Sequence, residues 1–347
     1  MNEIRLYKKL EEQGFKFIFL TYGDKNDLKY EKYFKNSIVI PIYDKIRFPN
    51  SKLIRILQSF FIPIYFYKLL KNVKLIKQNQ LLGVWVAILL KLFLGVPLYV
   101  RTGYDMYTFS KLMKVGKFKI ALYYFLTQLA LASCNFYSVS SETDLNFLRK
   151  KFIFTKKIKI RKNSVDIKET VPLNKRKENQ IICIGRLEKQ KNYEYIIKEF
   201  SNSNIKIDIY GEGSLRKDLE ELAKKQNTLV EFKGLVNNDL LHKEMENYKY
   251  YIISSHFEGN PKSLLEAMAN GCVVFASAIP NNKEIVSDKV TGYLFELKTN
   301  ELKNTFFNLK ENEMIEISLF GKEFINKHYS VKNVVTKEAE DYKNLID

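Results

Sequence analysis

Residues 258–271 read Glu-Gly-Asn-Pro-Lys-Ser-Leu-Leu-Glu-Ala-Met-Ala-Asn-Gly. The apolar run at 250–253 predicts a buried strand before this stretch, and residues 264–269 predict a helix within it. Pro261 suits the first turn of that helix, because its missing N–H would be unpaired there in any case. Gly271 suits the left-handed position that often follows the end of a helix. The stretch therefore predicts a strand, a turn and a helix in succession.

Two glutamates frame this turn and helix. Glu258 precedes the expected helix N-terminus, and Glu266 lies about two turns into the helix. A helix N-terminus presents unpaired backbone N–H groups and a partial positive charge, which favour a phosphate group. Taken alone, the two residues would be interpreted as a solvated loop acid and a helix-surface acid.

A second segment supports a phosphate site. Residues 181–184 predict a strand, and the loop after it carries Arg186 and Lys191. A guanidinium and an ammonium group on one loop at a strand end suit a diphosphate. Solvated arginine and lysine pairs are common on surfaces, so this signal is informative only together with its neighbours.

A third predicted strand, at 205–210, ends in a turn that contains Gly211 and Gly213. Glycines at a strand end allow a sharp backbone turn or a close approach to a ligand. A charged helical segment follows the turn. The third segment thus repeats the pattern of a strand followed by a loop and a helix.

In this order, the motifs resemble the C-terminal domain of the retaining nucleotide-sugar glycosyltransferases of family four. The resemblance covers nearly all of residues 179–296, with motifs at 185–192, 209–213, 232–234, 258–271 and 292–294. It implies an α/β fold of two Rossmann-like domains, called GT-B, with a cleft between them. It also implies transfer of a sugar from a nucleoside diphosphate-sugar to an acceptor hydroxyl, with retention of configuration at the anomeric carbon.

The resemblance assigns roles to individual residues. Arg186 and Lys191 hold the diphosphate, Glu258 contacts the donor sugar, and Glu266 binds the ribose hydroxyls. We therefore predict that Glu258, Arg186 and Lys191 are catalytic. The cations stabilise the charge that develops on the leaving diphosphate, and a carboxylate accepts hydrogen bonds from a diol. The predicted donor-binding residues are Gly211, Gly213, Gly259, Asn260, Pro261, Ser263, Leu264, Leu265 and Glu266.

The acceptor side departs from the family pattern. Many members carry a histidine near the reacting sugar in the N-terminal domain, whereas the corresponding segment here, 101–106, has none. A front-face mechanism, in which the leaving phosphate helps to deprotonate the acceptor, needs no imidazole. The candidates for acceptor contacts are Arg101, Tyr104 and Asp105.

The start of the chain is also unusual for the family. Residues 3–13 predict an amphipathic helix that ends at Gly14, and residues 15–20 predict a buried strand. Family members begin with another strand before this helix. We therefore expect the first strand of the N-terminal domain to be missing, and the chain to be truncated at its N-terminus.

Length and patterning predict two domains, because 347 residues exceed one ordinary core. We expect an acceptor-binding Rossmann-like domain at 1–170 and a nucleotide-sugar-binding Rossmann-like domain at 171–320. Strand-like and helix-like segments alternate throughout, which favours parallel sheets. Residues 321–347 predict a helix, and in GT-B enzymes such a tail crosses back to the first domain.

Positive charge is concentrated in the first half of the chain. Residues 1–170 hold 31 lysines and arginines against 12 acidic residues, and no acidic residue lies between Asp44 and Asp105. Aromatic residues are interleaved with these cations, which suits an anionic membrane surface and a lipid-linked acceptor. The alternatives are a solvated basic face and nucleic-acid binding. We find no zinc-finger spacing, RNP aromatics or helix-turn-helix signal, so we expect no nucleic acid.

Residues 81–100 are long enough to suggest a membrane span, but Lys91 interrupts them and residues 95–97 read Gly-Val-Pro. We predict a buried helix followed by a strand. The three cysteines are widely spaced and match no disulfide framework or metal motif, which favours a reducing cytoplasm. We expect no metal and no cofactor.

The sequence thus predicts a metal-independent, retaining glycosyltransferase at the cytoplasmic face of the cell membrane. Its partners would be a nucleotide-sugar donor, a glycan or lipid-linked acceptor, and an anionic membrane surface. It would act in the biosynthesis of a surface polysaccharide such as capsule or lipopolysaccharide. The alternative is a GT-B protein without transferase activity, such as a sugar-nucleotide epimerase or an inactive accessory subunit, since a fold does not fix a function.

Overall fold

The computed structural model describes residues 2–167 and 169–347, so Met1 and Lys168, both in the predicted first domain, lie outside the described residues. The first part of the chain alternates short strands with helices. Its elements are α1 (Asn2–Glu12), β1 (Ile18–Thr21), β2 (Ile38–Pro41), α2 (Ile42–Lys45), α3 (Lys52–Ser59), α4 (Ile62–Tyr65), α5 (Tyr67–Leu70), β3 (Ile76–Asn79), α6 (Val84–Leu94), β4 (Leu98–Arg101), α7 (Met106–Leu112), α8 (Lys117–Ser133), β5 (Phe136–Val139), α9 (Glu142–Lys151) and β6 (Ile158–Ile160).

The rest of the chain continues the alternation and ends in two long helices. Its elements are β7 (Lys177–Ile184), α10 (Tyr193–Glu199), β8 (Lys206–Tyr210), α11 (Arg216–Lys225), β9 (Leu229–Gly234), α12 (Asn238–Met245), β10 (Tyr248–Ile253), α13 (Lys262–Ala269), β11 (Val273–Ser277), α14 (Pro280–Lys283), β12 (Tyr293–Phe295), α15 (Glu301–Phe307), α16 (Glu311–Tyr329) and α17 (Val331–Ile346). Short 3₁₀ helices lie at Lys25–Tyr33, Thr155–Lys157, Leu173–Lys175 and Lys189–Lys191.

The chain divides into two compact units. The first unit comprises residues 1–140, 144–162 and 334–347, and the second comprises 141–143 and 163–333. All strand pairs of the three sheets are parallel, which requires the helical crossovers that the sequence alternation indicates. The predicted α/β class with parallel sheets is therefore confirmed.

In the first unit the strands form two sheets. One pairs β1 with β2, and the other has the order β3-β4-β5-β6. Successive residues of β4 face opposite sides of its sheet. Leu98 and Val100 pack in an apolar cluster with residues of α6 and α8, whereas the Tyr99 ring lies 6.1 Å from the Tyr342 ring of α17.

The second unit is built on one six-stranded sheet with the order β12-β11-β10-β7-β8-β9. All six residues of β10 are buried. Its Ile252 belongs to the apolar cluster on one face of the sheet, and Tyr251 and Ile253 belong to the cluster on the other face. Burial on both faces explains why the central strands have near-continuous apolar sequences.

Several predicted elements agree with the structure. The helix predicted at 264–269 is α13, and Gly271 has a φ of 68° just after its end. The segment 81–100 forms α6 and then β4, as predicted, and no helix among the described residues is long and apolar enough to cross a membrane.

Two predictions of local structure were wrong. The strand expected to be buried at 15–20 is β1, whose four residues are only half-buried, whereas three of the four residues of its partner β2 are buried. The single helix expected at 321–347 is two helices, because the chain is extended at Ser330 between α16 and α17. The units divide at 162–163, before the predicted boundary at residue 170, and the first unit also contains residues 334–347.

Candidate functional site

Three loops of the second unit leave the same edge of the sheet. They follow β7, β8 and β10, which are parallel neighbours, so their carboxyl ends lie side by side. The Gly185 amide donates to the Tyr210 carbonyl at 3.0 Å, and the Leu187 amide donates to the Glu212 carbonyl at 3.0 Å. The third loop joins them where the His256 amide donates to the Gln190 carbonyl at 2.9 Å. The structure thus brings the three predicted motifs together.

The glycines of the second loop allow this close packing. Gly211 has a φ of 145°, and a Cβ atom there would lie 2.0 Å from the Gly185 carbonyl oxygen. A Cβ atom at Gly213 would lie 2.4 Å from the Leu187 carbonyl oxygen. Both positions therefore need glycine for the contact between the first two loops. Their predicted role in donor binding stays a prediction.

Glu258 and Lys191 form a buried ion pair at this edge. The Lys191 Nζ lies 2.5 Å from the Glu258 Oε1, and the two side chains are 15% and 8% exposed. The Ser255 hydroxyl donates to the same carboxylate oxygen at 2.6 Å. The Gln190 amide donates to the Phe257 carbonyl at 2.8 Å, and its contact with Glu258 Oε2 is long, at 3.5 Å. Glu258 is thus a fixed, hydrogen-bonded carboxylate and not a solvated loop acid.

Arg186 differs from Lys191 in its surroundings. It is exposed at the end of β7, and its side chain makes no hydrogen bond or ion pair with any residue that the structure describes. The same loop therefore offers one cation already paired with a carboxylate, Lys191, and two exposed cations, Arg186 and Lys189, that form no ion pair with a described residue. An uncommitted guanidinium loses no protein contact when it binds an anion.

Helix α13 places the remaining donor-binding candidates. Pro261 is its N-cap residue, and Ser263 Oγ accepts a hydrogen bond from the Tyr251 hydroxyl at 2.8 Å. Leu264 and Leu265 are fully buried in the core, so only their backbone atoms can face a ligand. The first amides of the helix have no partner within it, which is general for helix N-termini.

Glu266 lies on the buried side of the same helix and is 9% exposed. The Nε2 atom of His242, on α12, lies 3.6 Å from its Oε1 atom. The two residues before the helix are held by their backbones. The Gly259 carbonyl accepts from the Asn281 amide at 2.5 Å, and the Asn260 carbonyl accepts from the Asn163 amide at 3.3 Å.

Sequence reasoning did not single out four of these neighbours. No local motif marks His242 or Asn281, because each reaches the site from another element. Proximity in sequence offered a weak signal for the other two, since Gln190 precedes Lys191 and Ser255 lies three positions before Glu258. The four are Gln190, His242, Ser255 and Asn281.

The acceptor-side candidates lie in the first unit. Arg101 ends β4 and pairs with Glu338, with Nη1 3.6 Å from Oε2. Asp105 is the N-cap of α7 and accepts from the Thr108 amide at 2.6 Å, and its burial raises the pKa of the carboxyl group. Tyr104 is 43% exposed. Arg101 and Asp105 therefore have structural partners, and their proposed contacts with an acceptor stay predictions.

No cluster of three or more histidine, cysteine, aspartate or glutamate side chains suited to a metal ion occurs among residues 2–167 and 169–347. The three cysteines, Cys134, Cys183 and Cys272, are buried and unbridged.

Comparison with known proteins identifies relatives of this chain. Residues 165–316 match the family model for glycosyl transferases group 1. An N-acetylgalactosamine-N,N'-diacetylbacillosaminyl-diphospho-undecaprenol 4-alpha-N-acetylgalactosaminyltransferase of Campylobacter jejuni is 30% identical over an alignment of 226 residues, and the match covers 61% of this chain and 58% of that protein. A capsular polysaccharide biosynthesis glycosyltransferase, CapH, of Staphylococcus aureus is 30% identical over 158 residues, which are 42% of this chain and 43% of that protein. Both matches span less than two thirds of the relative's own length.

The fold also has solved counterparts. The crystal structure of Anabaena Alr3699/HepE in complex with UDP and glucose superimposes with a TM-score of 0.78 at 15% identity, covering 99% of this chain and 95% of that chain. This similarity confirms the predicted GT-B architecture of two Rossmann-like domains. The predicted relationship to the glycosyltransferases agrees with the family match, which covers residues 165–316.

Proposed function

Because residues 165–316 match the family model for glycosyl transferases group 1, we propose that this chain is a retaining glycosyltransferase. It would transfer a sugar from a nucleoside diphosphate-sugar to an acceptor hydroxyl. The observation that supports this most directly is the buried pair of Lys191 and Glu258 at the edge where three loops meet. The paired charges sit beside the exposed Arg186 and before the N-terminus of α13.

In this proposal, Arg186, Lys191 and the first amides of α13 bind the donor diphosphate. All three carry positive charge or partial positive charge, and all are held by the backbone of the same sheet edge. Glu266 would accept hydrogen bonds from the ribose hydroxyls, since a carboxylate is an acceptor only. Glu258 would accept hydrogen bonds from the donor sugar or stabilise positive charge at its anomeric carbon.

The proposed reaction breaks the bond between the anomeric carbon and the β-phosphate oxygen. The acceptor oxygen forms a bond to the same face of that carbon, and its proton passes to the departing phosphate oxygen. The products are the glycosylated acceptor and a nucleoside diphosphate. Negative charge grows on the leaving group during this step, so Arg186 and Lys191 stabilise the transition state more than the ground state. The residues named here supply this chemistry without a metal or a cofactor.

We further propose a glycan or lipid-linked acceptor in the biosynthesis of a surface polysaccharide such as capsule or lipopolysaccharide. The names of the two relatives support this class, because one names a diphospho-undecaprenol-linked substrate and the other names capsular polysaccharide biosynthesis. Such an enzyme would act at the inner face of the cell membrane. The positive charge of residues 1–170 is compatible with that location.

Calorimetric titration with UDP, GDP, ADP and dTDP, without added metal, tests the donor site. We expect one nucleotide to bind selectively. Arg186→Ala should weaken its binding by about 1.5–3 kcal/mol, because it removes charge-assisted hydrogen bonds and no contact within the protein. Lys189→Ala is the matched control, since Lys189 is an exposed cation three residues away on the same loop.

An equal loss of nucleotide affinity in the Arg186→Ala and Lys189→Ala variants would show that the effect is general electrostatic attraction. Arg186 would then not be part of the donor site. With the donor known, release of nucleoside diphosphate that depends on an added acceptor supports transfer. A product that carries an epimerised sugar, or release that needs no acceptor, would contradict it.

A further inference from the structure

Helices α3 to α5 form a segment that is anchored to the first unit by few residues. Ile62, Phe66 and Leu70 are buried against Val86 and Leu90 of α6. In α3 itself, Ser59 is the buried residue, although the helix contains four large aliphatic side chains. The segment therefore directs most of its apolar side chains toward solvent.

Six of these side chains are each 54–66% exposed, and we call them the apolar surface: Leu53, Ile54, Leu57, Phe61, Ile64 and Tyr65. They come from two consecutive helices and the turn between them. Single exposed apolar residues are normal, but six large ones within residues 53–65 are typical of an interaction site in soluble proteins.

Cations flank the apolar surface along the chain. Lys52, Lys68, Lys71 and Lys74 are exposed, and none forms an ion pair with a residue in the described parts of the chain. Arg55 lies over the Phe48 ring at 4.8 Å from its centroid. No acidic residue between Asp44 and Asp105 offsets this charge.

We propose that the apolar surface and its bordering lysines dock this chain on an anionic lipid bilayer. A bilayer interface offers acyl chains to aliphatic and aromatic groups and anionic headgroups to lysines at the same contact. Nucleic acid would pair with the lysines but leave the aliphatic side chains in water. A second copy of the chain would bring the same cations together, which is unfavourable.

The inference deepens the proposed function. It rests on that function for the reason why the chain would dock, namely to bring the enzyme to a lipid-linked acceptor. Its physical evidence is separate, because the apolar surface lies in the first unit and the proposed donor residues lie in the second. Membrane binding and nucleotide binding can therefore fail independently.

Vesicle flotation tests the proposal on the full chain. We compare phosphatidylcholine vesicles with vesicles that contain about one third phosphatidylglycerol, at about 0.05 M and about 0.5 M NaCl. The wild type should float with the anionic vesicles and lose most of this binding at high salt. Phe61→Ser combined with Ile64→Ser should weaken binding at least about tenfold. Lys68→Gln combined with Lys71→Gln should weaken it about thirtyfold and abolish the lipid preference.

Matched controls come from exposed residues of the second unit. Leu319→Ser with Phe320→Ser removes apolar groups that are 61% and 50% exposed, and Lys224→Gln with Lys225→Gln removes two cations from α11. Both control variants should bind vesicles like the wild type. Nucleotide titration on every variant identifies any loss of folding or donor binding.

Three outcomes would overturn the proposal. The first is equal loss in the test and control variants. The second is self-association without lipid that the Phe61→Ser and Ile64→Ser changes abolish, which would assign the surface to a second copy. The third is salt-sensitive binding to single-stranded RNA with no binding to vesicles.

Discussion

The carboxylate of Glu338 offers a demanding test of how the first unit is held together. Glu338 lies on α17 with its side chain completely buried, and it pairs with Lys77 of β3 and Arg101 of β4. The Tyr342 hydroxyl donates to its Oε1 atom at 3.0 Å, and the Tyr99 hydroxyl lies 3.4 Å from Oε2. We predict that Glu338→Gln strongly lowers the free energy of unfolding of the first unit.

The size of the expected loss in stability follows from the interactions that glutamine cannot replace. Glutamine keeps the shape and part of the hydrogen bonding, but Lys77 and Arg101, only 11% and 14% exposed, lose their counter-charge. Removing one partner of a buried ion pair costs about 3–5 kcal/mol. Because both cations retain some contact with solvent, we expect a loss near the lower limit, about 3 kcal/mol.

Tryptophan fluorescence measures this effect in the full chain. Trp85 is the single tryptophan of the sequence and lies on α6 in the first unit, where it donates to the Ser59 hydroxyl. A loss of about 3 kcal/mol should shift the urea midpoint reported by Trp85 down by about 1–3 M. Glu340→Gln is the matched control, because Glu340 is exposed on the same helix and should change stability by less than about 0.5 kcal/mol. Equal midpoints for the two variants would refute the reasoning.

Two further predictions follow from single features of the structure. Gly211→Ala would place a Cβ atom 2.0 Å from the Gly185 carbonyl oxygen. We therefore expect the free energy of unfolding to fall by about 2–3 kcal/mol and nucleotide binding to weaken. Gly116→Ala is the control and should change little, because a Cβ atom there meets open space. Circular dichroism and titration compare the pair, and normal behaviour of the Gly211 variant would disprove the close approach. Acid should also weaken the first unit: although burial alone raises the pKa of Glu338, the cations of Lys77 and Arg101 hold it below its usual value. The stabilisation that ionised Glu338 gives to the first unit is then complete above the pKa of a glutamate in the unfolded chain, about 4.3. It is lost as the pH falls through the lower pKa of Glu338 in the folded protein. The Trp85 signal should show this acid loss in the wild type and a smaller one in Glu338→Gln; equal slopes would contradict it.

The strands and the order of the motifs could be predicted because they depend on local sequence. A parallel strand buried on both faces needs an apolar run, and β10 and β7 both show one. The loops at their ends carry charged residues that a buried strand cannot accommodate, so Arg186 and Glu258 could be recognised from the sequence as loop residues. The left-handed position at Gly271 was likewise predictable, because few other residues adopt it.

Partners distant in sequence could not be predicted. Lys77 and Glu338 are 261 positions apart, and α17 has the composition of a charged surface helix. No local pattern distinguishes the buried Glu338 from the exposed Glu340 two positions later. The half-burial of β1 is also a tertiary property, since its own residues do not show which elements cover the faces of the strand.

The pairing of Lys191 with Glu258 means that Arg186 and Lys191, the two cations predicted to bind the diphosphate, should contribute differently to binding. A lysine ammonium has three donors, so Lys191 can keep its bond to Glu258 and still donate to a phosphate oxygen. Its positive charge is nevertheless already balanced, and the pair presents little net charge to an approaching anion. Arg186 is exposed and unpaired among the described residues, as is Lys189 on the same loop, but only the guanidinium of Arg186 can bind two oxygens at once in a fixed geometry. In the proposed donor site, attraction of the diphosphate would therefore depend more on Arg186 than on Lys191, and Lys191 would mainly fix the position of Glu258.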